Sequence, residues 1–343
     1  MEKFDARIFG PGKLPADALS RMLKRVPPSD RRLLLGPCIG MDSAVIDFKD
    51  RCLLATTDPI TFTTDEIGWY AVCVNSNDIA VMGGTPRWFF ATLLLPEGKA
   101  TGRLVRIIFD QLRRACNSSG VTLCGGHTEI TQTVNQPVIC GTMLGEVKKG
   151  ALVTPAGARP GDAIILTKGL GIEGTAILAR ECEKRLKGLI PESVLNKARR
   201  FLHKPGIGVV LDAQIALRAG MITAMHDPTE GGVATALREL ALASGVGLKV
   251  REKFLLVLKE TREICECLKI DPFGLISSGA LLLTCPQKMA GRILSALAEN
   301  RIKASIIGEI LPRKKGLLME SEGKTVPLPC FERDELARVF SRE

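Results

Sequence analysis

Five acidic residues stand out because each sits among small residues at the edge of an apolar run. They are Asp42 in GMDSAVI, Asp58 in TTDPI, Asp78 in VNSNDIAVMGG, Glu129 in CGGHTEI and Asp227 in HDPTEGG. Carboxylates brought together are the hard oxygen donors that magnesium takes, alongside phosphate and water. Taken singly, each has a plain explanation: an Asp before a helix caps it, and an Asp in a turn bonds its own backbone. Their company changes the balance. Gly36, Gly40, Gly83, Gly84, Gly125, Gly126, Gly231 and Gly232 lie beside these acids, where backbone amides can approach a phosphate with no side chain between. The chemistry this suggests is a nucleotide held with a divalent cation.

Asn75 and Asp78 are three residues apart in a helical stretch, so they share one face while Val72, Ile79 and Met82 pack inward. Asn and Asp are indifferent helix formers, which makes a mid-helix pair informative. DPTEGG, at Asp227 to Gly232, stands where a strand passes into a helix, and free N–H groups at a helix start attract anions. A capped helix with Pro in its turn is the plainer alternative. Two of the three histidines, His127 and His226, adjoin acidic candidates. His127, between glycines and the Thr128–Glu129 pair, is a candidate ligand or acid–base group, weighed against a packing role. Cys265 and Cys267 form a CxC without a further cysteine pair or histidine, which argues against a zinc site.

The elements that must position these residues read as α/β throughout. Strand-like AVIDF, RCLLATT, RWFFATLLL, VTLCGG and PVICGTMLGEV alternate with helical stretches at about 65–82 and 101–119. The Pro- and Gly-rich TPAGARPGD loop, 154–162, marks a boundary, dividing the chain into an N-terminal domain, 1–154, and a C-terminal domain, 155–343. After AIILTKGLG come helices near 173–187, 191–202 and 208–219. A strand and turn then lead to a helix with Val233, Leu237 and Leu240 at helical spacing. The chain is expected to finish with strand ALLLTC, a helix at 286–299, strand ASIIGEI and a short polar tail.

Bulk properties agree with such a chain. It has 343 residues, 45% of them hydrophobic, enough for two cores. The stretch after Met1 lacks the apolar segment of a secretory signal, and no run reaches membrane-spanning length, so a cytoplasmic protein that does not contact membrane is expected. Eleven cysteines, an odd number scattered through core-like segments, read as reduced thiols. The net charge of +10 is dispersed and rarely interleaved with aromatics. That argues against nucleic acid and for either anionic ligands or a solvated basic surface.

Taken in order, GMDSAVI, TTDPITF, VNSNDIAVMGGTP, CGGHTEIT, GDAIILTKGLGIEG, HDPTEGGVATAL and ISSGALLLT resemble the aminoimidazole-ribonucleotide synthetase (AIR synthase) superfamily. That superfamily includes thiamine-monophosphate kinase, selenophosphate synthetase and the HypE hydrogenase-maturation family. HDPTEGGVATALREL is most similar to HypE, and the resemblance spans nearly the whole chain. It implies a two-domain α/β fold that dimerises through its N-terminal domain, building a shared β-barrel beside ATP clefts, with another maturation protein as a further partner. It also implies that ATP and Mg2+ serve to phosphorylate an oxygen of a small substrate.

Residue by residue, the resemblance places Asp42 at the metal and Asp58, Asn75 and Asp78 at further metal- and phosphate-side positions, while Glu129 joins them as a metal candidate from its own acidic, glycine-flanked context. Asp227 with Thr229, Gly231 and Gly232 matches the loop that faces the nucleotide; from the residues themselves, Gly40, Gly125 and Gly126 are further nucleotide-side candidates, and Asp227 and His127 are candidates to orient or deprotonate the attacking group. Three departures follow. Met41 replaces the first Asp of the family's Gly-Asp-Asp-Ala segment, and His127 stands where relatives carry Asp or Glu. HypE uses a C-terminal cysteine as its acceptor, whereas here Cys330 precedes the helical-looking FERDELARVFSRE. The expectation is a HypE-like, ATP-dependent enzyme acting on a free substrate. Alternatives are a small-molecule kinase resembling thiamine-monophosphate kinase, or a non-catalytic nucleotide-binding assembly protein.

Overall fold

The computed structural model describes residues 14–24 and 30–341. The Met1–Lys13 stretch read for a signal, and Arg342 and Glu343 at the other end, lie outside them. The first sheet contains β1 (Leu33–Leu35), β2 (Ala44–Phe48), β3 (Arg51–Ile60), β4 (Thr85–Pro96), β5 (Thr122–Thr131) and β6 (Val138–Lys148), in the order β1-β2-β3-β6-β4-β5. All neighbours are antiparallel except β4 and β5, which run parallel, joined by the Gly102–Ser119 helix. Strand β6 alternates as a one-sided strand should: Ile139, Met143 and Val147 point into the core.

The Ile67–Val81 helix seats against that face, and glycine makes the approach possible. A Cβ on Gly145 would stand 2.3 Å from Ile79 Cγ2, and one on Gly141 would stand 2.5 Å from Asn75 Nδ2. The helix is not amphipathic as its spacing suggested. Fourteen of its residues are buried, the polar Asn75, Ser76, Asn77 and Asp78 included, because the second half of the protein packs on the side that solvent would otherwise wet. Asn77 fastens the two halves: its Nδ2 donates to Ile207 O at 2.9 Å and its Oδ1 accepts from Val209 N at 2.8 Å.

The second sheet contains β7 (Asp162–Thr167), β8 (Ala224–His226), β9 (Gly247–Arg251), β10 (Leu282–Pro286), β11 (Ala304–Leu311), β12 (Leu317–Ser321) and β13 (Lys324–Pro327), in the order β13-β12-β9-β11-β7-β10-β8. Central β7 is buried along its whole length, as expected of a strand covered on both faces.

Three local readings change. The expected polar tail is structured: residues after Leu311 form the β12–β13 hairpin, and the helical-looking FERDELARVFSRE contains the Glu335–Phe340 helix, whose Leu336 and Val339 enter the core. The 173–187 helix is two pieces, Ile172–Glu181 and Glu183–Leu186. Strand β9 and the Lys259–Leu268 helix, which carries Cys265 and Cys267, escaped the sequence reading. Among the described residues, no helix is long and apolar enough to cross a membrane.

Candidate functional site

A cavity of about 890 Å³ opens between the two halves. One wall is the Met41–Ala44 loop and strand β3 with the Thr61–Thr63 segment after it; the other is built by Glu173, Asp227, Thr229, Glu230, Ile276 and Ser278. Six carboxylates line it: Asp42, Asp58, Asp78, Glu173, Asp227 and Glu230. Among the described residues, no Lys or Arg does. The net charge of +10 therefore does not collect where an anionic ligand would bind, contrary to the simplest reading of the composition.

Asp78 sits at the meeting point. It is 6% exposed and accepts a 2.6 Å hydrogen bond from Thr56 Oγ1, while Ser43 Oγ donates to its backbone carbonyl at 3.2 Å. Burial raises its carboxyl well above the usual range, and the charges of Asp58, Asp227 and Asp42 raise it further. Residues 36, 20 and 149 positions away thus act on one carboxyl group. A dense set of buried carboxylates is unfavourable unless cations neutralise it.

Part of that neutralisation is supplied by His226, at the end of β8 and 3% exposed. Its Nδ1 lies 2.8 Å from Asp42 Oδ1 and its Nε2 lies 2.9 Å from Glu239 Oε2. Burial alone would depress the imidazole pKa, but the Asp42 and Glu239 carboxylates overcome it and hold the ring well above 6.5. Asp42, His226 and Asp227 each offer an atom within 4.8 Å of the others. An imidazolium donating from both nitrogens has no lone pair for a metal, so His226 is a counter-charge and Asp42 and Asp227 are the ligand candidates. The donor set that Asp42, Asp58, Asp78 and Asp227 present is all carboxylate oxygen, which fits Mg2+.

Of the residues singled out in the sequence, Asp42, Asp58, Asp78, Asp227 and Thr229 come together here. Asn75 does not line the cavity. Fully buried, it holds strand β3 in place, accepting from Asp58 N at 3.1 Å and donating to Ala71 O at 2.8 Å. Gly40 lies beside the cavity lining, where a Cβ would meet Glu239 O at 3.2 Å. The glycines after Asp227 are not an open phosphate cradle. Gly231 N–H is given to Asp334 Oδ2 at 2.6 Å, and a Cβ on Gly232 would stand 2.6 Å from Phe273 O; both serve close packing.

Gly125, Gly126, His127 and Glu129 lie outside the cavity lining altogether. They belong to β5, the edge strand, whose residues are exposed on both faces from Thr122 to Ile130. His127 Nε2 is 3.7 Å from Glu129 Oε2, and neither approaches the four aspartates within this chain.

Sequence reasoning missed Glu173, Ser278, Glu230 and the Thr56 donor. Glu173 is in the first turn of the Ile172–Glu181 helix, and its sequence context, GLGIEGTA, looks like ordinary helix start chemistry. His226 was visible beside Asp227, but its partner Glu239 lies 13 residues on and Asp42 lies 184 residues back.

Two mixed α/β halves close over a carboxylate-lined cavity, which is a candidate site for a cation and its ligand. The chain belongs to the AIR synthase related protein family: the family's N-terminal domain matches residues 40–147 and its C-terminal domain matches residues 159–319. It is similar to a hydrogenase expression/formation protein of Methanocaldococcus jannaschii, 30% identical over 82% of this chain and 82% of that one. It is also similar to carbamoyl dehydratase HypE of Cupriavidus necator, 31% identical over 76% of this chain and 73% of that one. Among solved structures, hydrogenase maturation protein HypE in complex with ATP shares the fold, with a TM-score of 0.68 at 24% identity over 92% of this chain and 91% of that one.

Proposed function

We propose that this protein is a HypE-like enzyme that binds ATP with Mg2+ in the acidic cavity and phosphorylates an oxygen of a small, free substrate. The observation that carries this is the convergence of Asp42, Asp58 and Asp227 on the buried carboxyl of Asp78. Such a cluster suits a cation-bridged polyphosphate and little else of that size. Asp42, Asp58, Asp78 and Asp227 would hold Mg2+, which would neutralise charge developing during transfer. A substrate oxygen attacks the γ-phosphorus, the bond to the β–γ bridging oxygen breaks, and ADP leaves with the electron pair. The phosphorylated oxygen is then either the product or a leaving group.

A free substrate is favoured over the protein's own Cys330. That residue is exposed and outside the cavity lining. Its neighbours are tied down: Arg238 donates to the carbonyls of Leu328 and Pro329, and the Phe331 ring covers Gly274. Exposed β5, with its bared Ile130 and with the partly bared Trp88 and Phe90 on neighbouring β4, supports a homodimer formed through the first sheet. Gly125, Gly126, His127 and Glu129 would then act across that interface.

The test is calorimetric titration with Mg·ATP, together with ADP release, in wild type and in Asp42→Asn and Asp227→Asn. Saturable binding in wild type, lost in both variants, is expected. Binding without any ADP release in the presence of candidate substrates would instead favour a nucleotide-binding assembly protein.

A further inference from the structure

The second-half wall of the cavity is assembled from three separate stretches of chain. Asp227, Thr229 and Glu230 follow β8, Ile276 and Ser278 precede β10, and Glu173 opens the Ile172–Glu181 helix. What keeps these stretches in register lies outside the cavity lining, in Asp334. That residue stands just before the Glu335–Phe340 helix and is 6% exposed. Its Oδ1 accepts from Leu336 N at 2.7 Å, the ordinary bond of a helix N-cap. Its Oδ2 accepts from Gly231 N at 2.6 Å, directly after cavity-lining Glu230. The amide of Ile276 bonds the same carboxylate, and Ile276 O accepts from Gly174 N at 3.0 Å, next to Glu173. All three stretches are thus tied to one side chain of the C-terminal segment.

From this arrangement we infer that Asp334 is a positioning residue: through the amides of Gly231 and Ile276 it sets where Asp227 and Thr229 stand in the cavity wall. The inference rests on the nucleotide reading of the cavity and adds the residue that fixes its second wall for Mg·ATP. Asp334 touches no ligand in this role. Gly232 N donates to Thr229 O at 3.0 Å, so residues 229–232 form one turn and a shift at Gly231 is passed on to Thr229. The match to the family's C-terminal domain ends at residue 319, so this contact comes from chain beyond it.

A helix cap needs one oxygen and no burial, and Asp334 has more than a cap requires. Burial pushes its carboxyl up to about 7, against the pull of the amides of Gly231, Leu336 and Ile276. A carboxylate at that depth is costly unless donors surround it, and two of the three donors belong to the cavity wall. The segment that carries it is seated firmly. Leu336 and Val339 share a core with Ile172 and Ile177, and the Phe331 ring covers Gly274, two residues before Ile276.

The experiment uses the full chain at pH 8 and compares wild type with Asp334→Asn, Asp334→Ser and Val339→Ala. Asn is nearly isosteric, and Ser keeps a capping oxygen for Leu336 N–H; both withdraw the anionic oxygen from Gly231. Val339→Ala loosens the same segment through packing alone. Three quantities are read: Mg·ATP affinity by calorimetry, the thermal midpoint, and amide hydrogen exchange over 226–233 and 274–280. Both Asp334 variants are expected to raise the Kd for Mg·ATP about tenfold, with faster exchange confined to those two stretches. Val339→Ala is expected to lower the midpoint yet keep Kd within twofold of wild type. A folded Asp334 variant whose Kd stays within twofold of wild type overturns the assignment. Equal loss of affinity in Val339→Ala overturns it too, reducing the effect to stability. Should neither Asp334 variant fold, the wild-type protein decides, and an unprotected Gly231 amide refutes the contact. Wild type that binds no Mg·ATP refutes the nucleotide reading instead, while the exchange comparison still tests the bond to Gly231 by itself.

Discussion

His226 Nδ1 stands 2.8 Å from Asp42 Oδ1, joining a β8 residue of the second sheet to the loop that leads into β2 of the first. The same ring reaches Glu239 on its other side at 2.9 Å. One positive charge thus holds two carboxylates from different parts of the chain, and Asp42 is aimed by a residue that need not touch a ligand.

Replacing His226 by Ala removes the counter-charge beside Asp42 and Glu239. The expected cost is about 3–5 kcal/mol of stability, read as a lower denaturant midpoint, together with weaker Mg·ATP binding. An unchanged midpoint would mean that the triad is not structurally important.

The aspartate cluster should oppose stability in the absence of cations. Asp227→Asn removes one charge from the group acting on Asp78, so the variant is expected to melt higher than wild type by about 1–2 kcal/mol in chelator. It should lose the further rise that wild type shows when Mg·ATP is added. Calorimetric scans with and without ligand separate the two effects.

Asn77→Leu keeps the volume but leaves Ile207 O and Val209 N buried and unpaired. A loss of about 2–4 kcal/mol is expected, since each abandoned group costs roughly 1–3 kcal/mol. Hydrogen exchange should show faster opening at Val209. Undiminished stability would argue that packing alone joins the halves.

Glu173 gives the protein a pH dependence of defined sign. Its pKa in the folded protein is about 7, against an ordinary 4.5, so between those values the folded state binds the extra proton. The stability attached to it is present below about pH 4.5 and is lost as pH rises to about 7. Glu173→Gln should therefore match wild type near pH 4.5 and exceed it at pH 8 by about 3 kcal/mol. Equal midpoints at pH 8 would contradict the burial argument.

Much of this molecule is legible without coordinates. The strands beside Asp42 and Asp58 and the 65–82 helix that carries Asp78 follow from periodicity, and the observed Ile67–Val81 helix lies inside the range read from sequence. The TPAGARPGD loop does fall between the two sheets, whose strands stop at Lys148 and resume at Asp162. Asn75 was picked out correctly as an unusual helical residue, yet its job is to bond strand β3 and not a ligand. The β12–β13 hairpin is hard to read because its polar content hides the buried anchors Met319 and Leu328, whereas the helical character of FERDELARVFSRE is legible and the Glu335–Phe340 helix lies within it.

The sequence by itself determined which residues carry hard oxygen donors, which segments form strands and helices, and the seven ordered motifs that mark the family. Those properties are local, set by side-chain chemistry and by spacing of 2 or 3.6 residues. Only the tertiary structure decided which acids meet. It gathered Asp42, Asp58, Asp78 and Asp227 into one cavity, left His127 and Glu129 on an exposed edge strand, gave Gly231 to Asp334, and exposed Glu173 and Ser278 to the same space. Convergence depends on how two sheets pack across one buried helix, and no short window of residues contains that information.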